Sequence, residues 1–488
     1  MNIYIGIDVG TTSLKAVAIS DEGLTVGLAK SAYELHADAQ KATQKAEDWW
    51  RAACEAIRSL VLQIRSNGDE KVAKAKIRAI STSAQGGSTT ALDASSAPMI
   101  EAITWMDKRS DEEMEELNQK FGLRTFYRRH GWRLTPSSDA SKLLWMKKNL
   151  PQVYKNATAF PSTLGYINLC LTGNMVEDPT CAAIRRFYDI NTEKISADLL
   201  EYLEITEEQL PATLPTGALV GRISKQAALQ LGLDDDVLVY NGAHDQYCAS
   251  IGSGIVDPGE LMLATGTAWV LFGVTELPLF SDSFISPCLH PAKNYGALST
   301  VSGIGATFEW FSSLCATPIP ELSAGAADRR EKTKTLFFRP SASGTGLLIG
   351  NSTGAHVSGL SIGHDKYDIA LALMEGAAFE TALVIEEYKK NGMNDVSSIT
   401  MTGGATASKL WQSIVADVTG LDVYACTETN SPAIGAAIIA AAEGHGSQRL
   451  RELSNKFAPM REKISPSENA SYYSNKFAAY KEWRKSHE

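Results

Sequence analysis

The stretch Ile3-Tyr4-Ile5-Gly6-Ile7-Asp8-Val9-Gly10-Thr11-Thr12-Ser13-Leu14-Lys15-Ala16-Val17-Ala18-Ile19 decides the fold. Ile3, Ile5 and Ile7 alternate as in a strand, Gly10-Thr11-Thr12 interrupts the alternation, and Leu14 to Ile19 resumes it. The segment reads strand, tight turn, strand, and Asp21-Glu22-Gly23 turns the chain into a third strand. A glycine followed by hydroxyl residues at such a turn can aim backbone N–H groups and hydroxyls at a phosphate. Gly10, Thr11, Thr12 and Lys15 are therefore candidate phosphate ligands. Asp8, at the end of the first strand, is a candidate Mg²⁺ ligand for a bound nucleotide. A turn that carries Gly-Thr for its geometry alone is the competing reading.

Working outward, Trp49, Ala53, Ile57, Leu60 and Ile64 fall at helical spacing and predict a helix over Ala46–Arg65, with Trp49-Trp50 as core packing. Strands are expected at Lys76–Thr82 and Thr89–Asp93, and helices from Ser110 to Leu150 and over Ala197–Leu203. Val237–Tyr240 reads as a buried strand running into Asn241-Gly242-Ala243-His244-Asp245, with a helix beyond it. Glu260–Ala264 then leads into Thr265-Gly266-Thr267, and Ala268–Phe272 continues as a strand. The opening theme has recurred. Two such turns could grip the phosphates of one nucleotide from both sides, so Thr265, Gly266 and Thr267 join the candidates. The duplication predicts an α/β chain of two similar domains, 1–246 and 247–488, with a cleft between them.

Further on, Ile369–Lys390 is helical, and Ile399–Thr402 is a strand ending in Gly403-Gly404-Ala405, whose small residues would let a flat adenine or ribose approach the backbone. Strand–helix packing explains those glycines equally well. Ser431-Pro432 opens a small-residue helix. The last residues, Lys456 to Glu488, read as a charged tail ending in a solvated helix. Pro278–Tyr295 and the Gly- and Ser-rich 339–359 read as irregular loops.

With 488 residues, 44% hydrophobic and 21% charged, the chain is long enough for two packed cores. A net charge of −10 gives no electrostatic case for nucleic acid or an anionic membrane surface. The amino terminus does not read as a signal peptide, and no uncharged apolar run is long enough to span a bilayer. Seven scattered cysteines without CxxC spacing suit a reducing compartment, so the cytoplasm is expected. No histidine–carboxylate cluster suggests a transition metal.

Segments Ile5–Val17, Ile103–Arg109, Asn241–Gly252, Leu261–Val270, Gly303–Trp310 and Thr402–Gly420 together resemble the FGGY carbohydrate kinase family, in its order and spacing. That resemblance implies two ribonuclease H-like domains of the actin, sugar kinase and heat-shock ATPase architecture, the first binding sugar and the second nucleotide. It implies ATP and Mg²⁺ as the groups bound, a small sugar or polyol as substrate, and allows a homodimer. Asp245 matches the family's general base, the residue that takes the proton of the attacking hydroxyl, and is paired with Asp8 as a metal ligand. A helix cap is the plain alternative for Asp245. His244 reads as structural, because neighbouring side chains ordinarily point apart. Gly305, Glu309 and Ser408 fall in matching segments and join Gly403, Gly404 and Ala405 as nucleotide contacts.

On the sugar side the resemblance implicates Gln85, Gly86, Gly87, Trp105, Asp107 and Gln246. Trp105 would stack on a sugar chain and Asp107 would accept its hydroxyls, with an Asp107–Arg109 pair ordering the loop as the alternative. Gln246 resembles the glycerol kinase motif. Gly86-Gly87 departs from both the Gln-Met-His-Gly of xylulose kinases and the Gln-Arg-Glu of glycerol kinases, which suggests a roomier pocket. Ser343-Gly344-Thr345-Gly346 departs from the family's usual loop as well. Overall organisation, including Lys142-Leu143-Leu144-Trp145, favours phosphorylation of a terminal hydroxyl of a pentulose such as D-xylulose, with glycerol or a four-carbon polyol as runner-up. An actin- or chaperone-like ATPase would not need Trp105-x-Asp107-x-Arg109. A sugar sensor without catalysis would not need Asp8 and Asp245.

Overall fold

The computed structural model describes residues 1–340, 354–426 and 428–486. The chain divides into two compact units that interleave along the sequence. The first comprises Met1–Val256, Cys288–Asn294 and Asn430–Ala458; the second comprises Asp257–Pro287, Tyr295–Thr429 and Pro459–Glu488. This differs from a single division after residue 246, because the chain re-enters the first unit twice.

In the first unit β1 (Asn2–Val9), β2 (Ser13–Ser20), β3 (Thr25–Ala32), β4 (Lys76–Ala84), β5 (Leu219–Arg222) and β6 (Leu238–His244) form one sheet in the order β3-β2-β1-β4-β6-β5. The β1–β2 and β2–β3 pairs are antiparallel, β4 and β6 run parallel to β1, and β5 is an antiparallel edge. In the second unit β7 (Leu261–Thr265), β8 (Trp269–Thr275), β9 (Asn294–Ser302), β10 (Ser398–Gly403), β11 (Asp422–Cys426) and β12 (Arg461–Ile464) are successive in its sheet as β9-β8-β7-β10-β11-β12. Their directions repeat the first pattern pair for pair. The duplicated turn is thus the visible end of a duplicated sheet.

The helices that matter below are α1 (Ala46–Arg65), α2 (Asp245–Gly252), α3 (Ile304–Leu314), α4 (Lys366–Lys390), α5 (Lys409–Thr419), α6 (Ser431–Ala441) and α7 (Ala470–Lys485). α1 buries Trp49, Ala53, Ile57, Leu60 and Ile64, the stripe expected from its spacing, together with three alanines. Both faces of β1 are covered. Ile3, Ile5 and Ile7 lie in the hydrophobic core, and on Gly6 the backbone of α6 lies so close that a Cβ would stand 1.8 Å from the Ala433 carbonyl oxygen. α6 meets α2 in the same way: a Cβ on Gly252 would lie 2.0 Å from Ser431 O, and one on Gly435 1.9 Å from Cys248 O. Small residues let backbones touch, which explains why a helix made of Ala, Gly and Ile sits there.

Some elements differ from expectation. Thr89–Asp93 makes only isolated bridges, through Thr89 and Leu92, because its partners Ile103, Ser162, Ala159 and Pro98 come from different directions. The 110–150 region is three helices, Asp111–Phe121, Leu123–His130 and Asp139–Asn149. The strand beginning near Val237 continues to His244, past a register shift where Gly242 passes within side-chain distance of Thr82 O. Ser286–His290 adds a short strand within 278–295. The terminal helix α7 is not merely solvated: it buries Tyr473, Phe477 and Tyr480, and Lys476 and Arg484 pair with Glu375 and Glu380 on α4. The Ser343–Gly346 segment lies outside the described residues.

Candidate active site

The first unit collects its chemistry at the ends of β1, β4 and β6. Asp8 is one residue short of the end of β1, opposite Lys15 in the hairpin and level with Ser83 on parallel β4. Ser83 Oγ donates to Asp8 Oδ1 at 2.9 Å. Burial pushes the Asp8 carboxyl up to about 7, and the charge of Asp245 pushes the same way, against the smaller pulls of Ser83 and Lys15. Two carboxylates from two strand ends therefore sense one another.

Asp245 opens α2, and the cap position before it belongs to His244, which makes no side-chain cap bond. The cap reading of Asp245 drops accordingly. Its side chain is 30% exposed, and His244 Nε2 lies 3.2 Å from its Oδ1. The two neighbours do not point apart. The His244 N–H donates to Thr180 Oγ1 at 2.9 Å, which fixes the backbone just ahead of the acid. Buried nearby along the chain, His244 Nδ1 and Gln246 Oε1 have no partner among the described residues.

Residues 85–87 continue from β4. The Gln85 N–H donates to Val9 O at 2.9 Å, extending the β1–β4 pairing by one bond. Gln85 Nε2 donates to Gln44 Oε1 at 3.0 Å, and Gln85 Oε1 is buried without a partner among the described residues, as is Ser88 Oγ. Gly86 does not make the site roomier. A Cβ there would lie 2.6 Å from both His244 Cδ2 and Ile184 Cδ1, so its missing side chain is the space that His244 and Ile184 occupy. Gly87 has φ +66°, and its carbonyl accepts from the buried Lys142 Nζ at 2.5 Å. Lys142 lies 3.3 Å from Asp139, which also pairs with buried Arg185.

Trp105 is 43% exposed, and its Nε1 donates to Thr11 Oγ1 at 3.1 Å. Asp107 is fully buried. Its Oδ1 accepts from Arg109 N at 3.0 Å and Nε at 2.9 Å, and its Oδ2 from Arg109 Nη2 at 2.6 Å and Ala42 N at 2.7 Å. Those four bonds use the carboxylate's acceptor capacity, so the expected role of Asp107 as a direct acceptor of sugar hydroxyls gives way to ordering of the Trp105 loop. The turn itself is held from behind: Gly10 N–H donates to Ser13 O, Tyr33 OH to Gly10 O at 2.5 Å, and Tyr33 N–H to Thr12 O at 3.2 Å. The Thr12 side chain remains exposed.

The second unit's turns are built differently. Thr265 Oγ1 donates to Thr402 O at 2.6 Å and accepts the Ala405 N–H at 3.1 Å, tying the end of β7 to the turn after β10. Gly266 and Thr267 are exposed at the β7–β8 turn. The start of α3 rests on this turn: a Cβ on Gly305 would lie 2.2 Å from Gly266 O, and the Ala306 N–H donates to Thr267 O at 3.0 Å. Gly403 has φ +90°, where a Cβ would come within 2.9 Å of Thr265 O. Gly404 is exposed beside it. Ser408 caps α5 through the Trp411 N–H, and its hydroxyl is 2.5 Å from that of Ser323. Glu309 stands exposed one turn along α3. The structure thus gathers Thr265 to Thr267, Gly305 and Gly403 to Ala405, while Ser408 serves its helix.

Sequence reasoning passed over Gln44, Ser83 and Tyr33. None sits in a periodic or glycine-marked pattern, and each matters through a partner distant in the chain.

Residues 3–252 match the N-terminal domain, and residues 261–443 the C-terminal domain, of the FGGY family of carbohydrate kinases. A xylulose kinase of Staphylococcus xylosus is 26% identical over 500 aligned residues, covering 99% of each chain. The crystal structure of a ligand-bound xylulose kinase from Lactobacillus acidophilus superposes with a TM-score of 0.91 at 25% identity, over 100% of this chain and 98% of that one. A gluconate kinase from the same organism gives a TM-score of 0.89 at 26% identity, over 99% and 98%. Together with the paired sheets and the carboxylates at their strand ends, these matches show that the chain belongs to the FGGY family of carbohydrate kinases, phosphotransferases that use ATP.

Proposed function

We propose that the protein transfers the γ-phosphate of ATP to a terminal hydroxyl of a pentulose such as D-xylulose, with Asp245 as general base. The observation that carries this reading is Asp245 itself. It is a partly exposed carboxylate at a strand end, oriented by His244 at 3.2 Å and followed at once by the unpartnered Gln246 Oε1. The substrate hydroxyl gives its proton to Asp245 as its oxygen forms the new O–P bond; the bond to the β-phosphate oxygen breaks, and ADP leaves with that electron pair. His244 Nε2 lies beside Oδ1, which leaves Oδ2 to receive the proton.

Asp8 and Asp245 suit Mg²⁺, because burial and then the charge of Asp245 raise the Asp8 carboxyl, and a cation would offset both. When bound, the ion supplies neutralisation of phosphate charge. In the second unit the exposed Gly266-Thr267 turn and the Gly403-Gly404 bend offer backbone N–H groups to phosphates and an open approach to the base. The sugar belongs to the first unit. Gln85 Oε1, Ser88 Oγ, His244 Nδ1 and Gln246 Oε1 are polar atoms without partners among the described residues; the two amide oxygens accept only, and the hydroxyl and the imidazole nitrogen can accept as well. Such a set suits hydroxyl donors and not a carboxylate, which favours a ketose or polyol over gluconate. The xylulose kinases among the relatives point to a pentulose within that group.

The test is a coupled ADP-release screen across pentuloses, pentitols, glycerol, erythritol, hexuloses and gluconate. D-xylulose or another pentulose is expected to give the highest kcat/KM. A tenfold preference for gluconate or glycerol would replace the pentulose reading.

A further inference from the structure

Gln44 ends a short strand, Ala42–Gln44, two residues ahead of α1, and is fully buried. Groups that cannot exchange roles settle how its amide is turned. The Trp49 indole N–H is a donor only, and it lies 3.2 Å from Gln44 Oε1. The Thr11 carbonyl is an acceptor only, and it receives the Gln44 amide Nε2–H. With both ends assigned, the remaining bond to Gln44 Oε1, at 3.0 Å, must come from an N–H of Gln85. Gln85 is thereby turned so that its carbonyl oxygen, buried and without a partner among the described residues, is the atom it offers. The chain of bonds runs Trp49 to Gln44 to Gln85, with a branch to the turn that carries Thr11.

We infer that Gln44 is a positioning residue that holds Gln85 as a hydroxyl-accepting reader of the sugar, so that the enzyme selects a substrate carbon bearing OH over one bearing hydrogen, a carbonyl or a carboxylate. This rests on the reading of residues 85–88 as part of the sugar site. One of the two amide N–H groups of Gln85 is held by Gln44 and the atom it presents is the acceptor Oε1, so a carbonyl or carboxylate oxygen placed against Oε1 meets another acceptor. A sugar that lacks the matching hydroxyl leaves a buried acceptor unpaired. For sites built to bond a hydroxyl, the penalty is at least about tenfold in kcat/KM and commonly greater. If Gln44 only filled space beside Trp49, its loss would slow every sugar by one common factor.

The experiment compares wild type, Gln44→Met and Trp49→Phe with D-xylulose and its 1-deoxy, 3-deoxy and 4-deoxy forms, reading kcat/KM for each. One deoxy form is expected to lose about 10- to 100-fold on wild type. In Gln44→Met, which keeps the volume but frees the Gln85 amide to rotate, that single penalty should shrink to within about threefold while the ratios for the other forms stay put. Trp49→Phe removes one of the two groups that set the Gln44 amide, along with part of the buried indole ring, and leaves the Thr11 carbonyl in place. It should lower the same penalty in the same direction, and it decides the matter if Gln44→Met does not fold. An undiminished penalty in a folded variant, or a wild type indifferent to all three deoxy forms, overturns the assignment. A wild type that turns over no pentulose instead sinks the substrate reading, and the comparison is then made with monodeoxy forms of the sugar that the ADP-release screen returns.

Discussion

In the first unit the strand entering the Gly-Thr turn carries Asp8, level with Ser83 on its parallel neighbour. In the second unit the same place, two residues before Gly266, holds Ala264, level with Thr402. The next level pairs Val9 with Ala84 in one and Thr265 with Gly403 in the other. One backbone device thus appears twice, with an acid at one turn and only hydroxyls and glycines at the other. The sheet is kept while the residues at the turns differ. On the proposed reading, proton transfer and cation binding fall to the first unit, and neutral amide cradling of phosphate falls to the second.

The comparison can be broken most decisively at Asp245. Asp245→Asn should lower kcat by about a thousandfold or more while ATP affinity, read by a fluorescent nucleotide analogue, changes little. Near-normal turnover would remove the division of labour at its root. The Asp8 turn should also differ from its counterpart in pH response. The Asp8 carboxyl titrates at about 7 in the folded chain against 3.8 for the ordinary group, so the native state holds a proton that the unfolded state has lost. Stability contributed by this group therefore falls as pH rises from about 4 to 7. Asp8→Asn should be more stable than wild type above pH 7, by a few kcal/mol (roughly 4 at most), with the gap closing towards pH 4. Denaturant midpoints at pH 5 and pH 8 give the answer, and a gap that is the same at both would discard the coupling.

Glycine substitutions sharpen the contrast in packing. Gly305→Ala places a Cβ 2.2 Å from Gly266 O, whereas Gly10→Ala meets nothing nearer than Ser13 O at 3.3 Å. The first should raise the ATP KM about tenfold, since a displacement of about 1 Å at a binding group carries penalties of that order or more. The second should change it by less than about threefold. Equal damage would mean that the two turns are used alike. The smallest effect concerns Asp107 and Arg109. Asp107→Asn and Arg109→Met should each raise the sugar KM a few-fold, and the double variant should be no worse than either, because they break one shared unit. Additive losses would restore a separate substrate contact to Asp107.

The sequence made the hairpins legible because alternation and a glycine are local signals. Ile3, Ile5 and Ile7, and the stripe on α1, needed no tertiary information. The edge strands β5 and β12 were illegible for the converse reason: Leu219–Arg222 and Arg461–Ile464 are short, half-exposed, and become strands only by pairing with β6 and β11. Thr89–Asp93 had strand composition but no continuous partner. In the site, Asp8, Asp245 and Trp105 were marked by their motifs. Glycine at position 86 was read as added room, since nothing local reveals that His244 fills it. Gln44 was invisible, because its three bonds reach Thr11, Trp49 and Gln85 from a stretch that looks like an ordinary polar approach to a helix.

The placement of α6 has a consequence for biosynthesis. The helix that lies on bare backbone at Gly6 is encoded some 430 residues later, after most of the second unit has been made. As the chain leaves the ribosome, its first sheet must wait with the side of β1 that carries Tyr4, Gly6 and Asp8 uncovered, a bare strand surface against which other nascent chains can pack. A message truncated before residue 431 would leave that side open permanently, and a deletion within 431–441 would be felt at the very first strand.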